Sequence, residues 1–207
     1  IVAAGKEGRM TFQRIQTYTL NSITKKIVTA LFLIVGLIMT GGAILTPLLM
    51  VILIIAGDFV AMSLTTDNVR PSPMPNAWHI GTLTMAGVVM GVCLLTFCSA
   101  VLAVGKFAMH LQIQALQTLA FITLVFGSQA GLYAIRDRRH LWGSRPSLWL
   151  VISSLADILI ASMLAVGGFA MTVLPAALVA STLAAAVAFA FLLDVVKLPV
   201  FSRLRIA

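Results

Sequence analysis

Residues 46–64 read TPLLMVILIIAGDFVAMSL, an almost unbroken apolar run with one acid in its middle. A run of about 20 such residues crosses a hydrocarbon core of about 30 Å as a helix. Pro47 suits the first helical position, because the amide proton it lacks is an orphan there anyway. Asp58 lies 11 residues further on, about 16 Å deep at 1.5 Å per residue. That is mid-bilayer, where a charge is costly and marks function by default.

The rest of the chain has the same character. Of its 207 residues 60% are hydrophobic and 10% charged, with mean hydropathy +1.08. A soluble domain is about half apolar and a quarter charged. A globule of this size has too little interior to hide that much apolar surface. Disorder, a secreted disulfide scaffold and a soluble enzyme are excluded. The expected fold is all-α, a polytopic bundle of six transmembrane helices near 23–42, 46–64, 83–104, 111–134, 147–166 and 173–193. Residues 1–22 read as a cytoplasmic stalk helix, 23–195 as the transmembrane domain and 196–207 as a basic cytoplasmic tail.

The net charge of +8 does not indicate nucleic acid. Every Lys and Arg except Lys106 falls before or in the first turn of the first span, in the even-numbered gaps or in the tail. By the positive-inside rule this asymmetry puts both termini in the cytoplasm. The opening is too polar for a signal peptide, and the start at Ile1 suggests a piece of a longer protein.

Few ionisable groups lie at depth. Gly57 precedes Asp58 and loosens the helix beside the carboxylate, as in the discontinuous helices from which transporters build ion sites. Asp157 lies deep in the fifth span; with Ser153 and Ser154 one turn earlier it reads as a structural hydrogen-bonding group. Asp194 near the end of the last span reads as snorkelling or capping with Lys197. Lys26 and Lys25 lie about 22 and 24 Å in from Gly41, against about 16 Å for Asp58. The vertical gap of about 6 Å is within a lysine's reach, so one of the pair can approach Asp58 or both can snorkel to the headgroups. His79, His110 and His140 do not converge with other ligands, so no metal site is expected. No phosphate-binding loop or nucleophile motif is present.

The segment from Leu49 to Ile80 resembles the sixth membrane helix and following loop of P-type cation ATPases, closest to the plasma-membrane proton-pump branch. There a mid-helix Asp is followed nine residues later by the Asp of a D-x-V-K/R-P-S-P-x-P-x-x-W loop. Here these are Asp58, then Asp67, Val69, Arg70, Pro71, Ser72, Pro73, Pro75 and Trp78. Arg9, Phe12, Gln13, Arg14, Tyr18 and Thr19 are similar to that family's stalk, and Leu193, Asp194, Val195 and Lys197 to its last helix.

The resemblance implies membrane helices five to ten of such a pump, with Asp58 accepting the transported ion. ATP and Mg²⁺ would act on upstream parts absent here, so the chain alone is expected to hydrolyse no ATP. Plant-type proton pumps carry Asn where Gly57 stands and an Arg where Val28 stands, which displaces the counter-cation onto Lys26. Calcium takes six to eight oxygen ligands, and one acid is few for that. A single carboxylate suits H⁺, with Mg²⁺ or another cation as alternatives. A stand-alone permease and a non-catalytic membrane subunit are the competing readings. The expected partners are the lipid bilayer of the plasma membrane, the transported cation and the missing parts of the same pump.

Overall fold

A computed structural model describes residues 2–69, 80–137 and 140–204. Arg70, Pro71, Ser72, Pro73, Pro75, Trp78, His79, Arg138, Arg139 and Arg205 lie outside the described residues, as does the side chain of Lys6. The architecture is all-α: α1 (Val2–Thr40), α2 (Pro47–Ser63) with a 3₁₀ turn at Leu64–Thr66, α3 (Ile80–Ala103) running into a π turn at Val104–Ala108, α4 (Ile113–Arg136), α5 (Leu148–Gly167) and α6 (Ala176–Arg203). All six helices are long and apolar enough to cross a membrane. The protein is an integral, multi-pass membrane protein. The stalk segment and the first span form one unbroken helix of 39 residues.

Local chemistry sets the helix ends. Thr46 caps α2, its hydroxyl accepting from the Leu49 amide at 3.3 Å, with Pro47 next in line. Ser147 caps α5 in the same way, accepting from Leu150 N at 3.2 Å. Each cap satisfies one of the amides that a helix start leaves without a partner. At its other end α5 closes on Gly168 at φ 70°, a left-handed conformation that suits glycine.

The centre of the bundle is α4. Of its most apolar window 89% is buried, against 22–33% for the other five helices. The α1 helix packs chiefly on α3, α4 on α6, and α2 on α5. Phe32, Leu49, Leu94, Phe121 and Phe126 fill the shared core.

Lipid is as apolar as a leucine side chain, so close packing and interhelical hydrogen bonds must hold such a bundle together. Two glycine pairs at four-residue spacing allow the close approach. A Cβ on Gly87 of α3 would lie 2.8 Å from Ile23 Cγ2 of α1, and one on Gly91 would lie 3.2 Å from Ile27 Cγ2. Gly127 and Gly131 of α4 receive Leu94 of α3, with hypothetical Cβ contacts of 3.2 and 3.4 Å. Gly87→Leu is therefore expected to cost about 1–3 kcal/mol, the range for overpacking. A thermal melt in detergent reads this. Gly81→Leu, where nothing lies within 4 Å of an added Cβ, is the matched control.

Candidate functional site

The buried stripe of α1 runs through Thr17, Asn21, Thr24, Val28 and Phe32. Lys25 lies one turn after Asn21 and so sits at the inward edge of that stripe, half-buried. Lys26, 100° further round, is exposed. The depth count leaves the two lysines open and the resemblance points to Lys26, but neither carries an azimuth. The helical rotation makes Lys25 the inward-facing lysine.

Gly57 is what admits Lys25. A Cβ added at Gly57 would fall directly on the Lys25 ammonium nitrogen. The missing side chain is therefore a notch in α2 that holds the end of a lysine from α1. Asp58 follows immediately on α2. The carboxylate itself lies on the exposed face of α2, among Ile54, Ile55, Phe59 and Met62.

A second acid, Asp157, is buried on α5. Asp157 is 7% exposed and accepts a hydrogen bond from Gln129 Nε2 of α4 at 2.5 Å. Ser153 turns elsewhere, donating to Ser63 Oγ at 2.9 Å. Two buried oxygens close to this acid have no hydrogen-bond partner, Gln129 Oε1 and Ser154 Oγ. A cavity of about 10 Å³ with Lys25, Thr29 and Ser128 in its wall lies between α1 and α4. That is near the lower limit for one water.

Asp67 and Asp194 belong to two clamps at the end of the bundle where α4 finishes and α5 begins. Asp67 is 1% exposed. It takes Arg136 Nε on Oδ2 at 2.9 Å and the Ser147 amide on Oδ1 at 2.9 Å. Its backbone carbonyl accepts from Arg14 Nε at 2.8 Å. Arg136 also donates to the hydroxyl of Ser144 at 2.6 Å and to its carbonyl. One carboxylate thus joins the ends of α4 and α5 to the segment after α2, with α1 attached through Arg14. Asp194 accepts from Lys197 Nζ at 2.6 Å and from the Leu141 amide at 3.0 Å, with His140 Nδ1 at 3.1 Å. Lys197 is fully buried and also donates to the carbonyls of Ala134 and Asp137 at 2.6 and 3.0 Å. A cation there meets the negative end of the α4 dipole.

Gln129 and the clamp role of Arg136 carry no signal in the sequence beyond residue type. The available clue to Gln129 is an amide in the middle of an apolar run. Among the described residues, no three His, Cys, Asp or Glu side chains come together as a metal-ligand group.

No protein-family model matches the chain. It is similar to a provisionally named cation-transporting ATPase of Methanocaldococcus jannaschii, with 28% identity over 142 residues. The match covers 69% of this chain and 18% of that relative. The chain therefore spans about a fifth of the length of the curated relative it matches.

Proposed function

We propose that this chain is the C-terminal membrane half of an ATP-driven P-type cation pump, and that Asp58 takes up and releases the transported ion. The observation that carries the reading is a mid-helix carboxylate, Asp58, on the residue next to the Gly57 notch that holds the Lys25 ammonium. Similarity to a named cation-transporting ATPase supports the pump class. Lys25 acts as the built-in counter-cation. When the transported cation leaves Asp58, the ammonium neutralises the carboxylate and spares the bilayer a bare charge.

The cation is H⁺ in this reading. Asp58 stands alone on α2 as an acid at depth, and one carboxylate suffices for one proton. Calcium and magnesium ask for several more oxygens. Asp58 faces out of this bundle, so in a bilayer it needs polar cover from further helices of the intact gene product. ATP and Mg²⁺ act on parts of the pump outside this chain. Both termini lie in the cytoplasm, and the membrane is the plasma membrane.

The test is Asp58→Asn in the intact gene product, reconstituted in vesicles. Transport is expected to fall to background while insertion and yield are kept. Wild-type transport by that variant would remove the reading.

A further inference from the structure

The unpartnered oxygens beside Asp157 need an explanation. A buried polar atom without a partner costs about 1–3 kcal/mol, and here two occur on adjacent helices. Gln129 is 6% and Ser154 3% exposed, so bulk water does not serve either side chain. Ser154 and Asp157 are three residues apart on α5 and share one face. Asp157 has two oxygens, and the Gln129 amide is recorded on one of them. The carboxylate of Asp157, Gln129 Oε1 and Ser154 Oγ can all accept, against three hydrogens to donate, two on the Gln129 amide and one on the Ser154 hydroxyl.

A lysine ammonium brings three donors and no acceptor. The Lys25 ammonium lies against Gly57, six residues before Ser63, and Asp157 lies one turn beyond Ser153, which bonds to Ser63, so ammonium and carboxylate stand at a similar level of the packed α2 and α5. Lys25 also shares a cavity wall with Ser128, the chain neighbour of Gln129. We propose that Asp157, with the amide of Gln129 and the hydroxyl of Ser154, is a second station for the Lys25 ammonium. It draws the ammonium away from Asp58 when Asp58 takes up its cation. This deepens the reading of Asp58 as the ion site and rests on it.

The physical role is competition. A tethered ammonium and the transported cation contend for one carboxylate. An alternative anion within the lysine's reach lowers the ammonium's occupancy at Asp58. Asp157 is then a positioning residue, which acts on the ion through Lys25.

The experiment uses the intact gene product in inverted vesicles, with protons as the probe and ATP-driven quenching of a pH-sensitive dye as the signal. Asp157→Asn is expected to raise the half-saturating proton concentration about tenfold, one step of about 1.4 kcal/mol, with a smaller effect on maximal rate. Lys25→Met in the same background should return the half-saturating value to that of Lys25→Met alone, and Asp157→Glu should keep the wild-type value. A tenfold rise that persists in the double variant would overturn the proposal, as would an unchanged value in Asp157→Asn.

Melting temperature supplies a readout independent of transport. Each single neutralisation leaves a charge without its partner, so the double variant should melt above Asp157→Asn, even where that single variant folds poorly. Simple addition of the two losses would refute the pairing. If Asp58→Asn transports normally, the ion-site reading fails, and the melting cycle still decides whether Lys25 and Asp157 pair.

Discussion

Asp58→Asn is expected to reduce transport by the intact gene product to background and to leave the fold almost untouched. The two halves of that result have separate causes. Asn keeps the shape of Asp and can still accept hydrogen bonds, but it carries neither the charge nor the exchangeable proton. Transport that depends on holding a cation at mid-depth loses its anion. The fold loses little because Asp58 lies on the exposed face of α2 and contributes nothing to the buried core. Surface substitutions of that kind fall within about 0.5 kcal/mol. Retained insertion with lost transport therefore identifies chemistry rather than collapse. Asp157→Asn offers the contrast. Its carboxylate is buried and bonded to Gln129, so its removal should lower the melting temperature. Measuring both variants in one preparation separates a residue that serves the ion from one that also holds helices together.

The six spans were legible because a run of apolar residues of fixed length has one physical meaning in a bilayer. The position of Asp58 along its helix was countable for a related reason, since depth follows from residues at 1.5 Å each. What depth omits is azimuth, and azimuth separates Lys25 from Lys26. Two lysines adjacent in sequence differ by 100° around α1, and the Gly57 notch in α2 receives one of them. That notch has no sequence signature of its own, because a glycine before an acid reads equally well as a loosened helix. Gln129 stayed hidden because an amide in an apolar run gains meaning only from what faces it, here Asp157 on the next helix. Arg136 was read as a positive-inside charge. It stands in the last turn of α4, yet its side chain is 1% exposed. Orientation and packing use the same residue, and composition records only the first.

Asp67→Ala should be the most damaging single substitution to stability, at about 3–5 kcal/mol, the cost of removing one member of a buried ion pair. The side chains of Arg136 and Asp67 are 1% and 2% exposed, and Arg136 Nε lies 2.9 Å from Asp67 Oδ2. Removing the carboxylate strands the guanidinium in a site closed to water. It also strips the Ser147 amide of its acceptor at 2.9 Å, at the residue that caps α5. The contact with Arg14 survives, because it goes to the backbone carbonyl of Asp67. The loss should therefore fall on the junction of α4 and α5 and leave α1 in place. A second substitution exposes the cause. Arg136→Met in the Asp67→Ala background removes the stranded charge and fills its volume with an apolar chain, which is often neutral or stabilising where an ion pair is replaced as a unit. The double variant should then melt above the Asp67→Ala single variant. If it melts lower, Arg136 is held mainly by Ser144, with which it bonds at 2.6 Å through the hydroxyl. In that case Asp67 would be a cap on α5 and not the anion of the clamp.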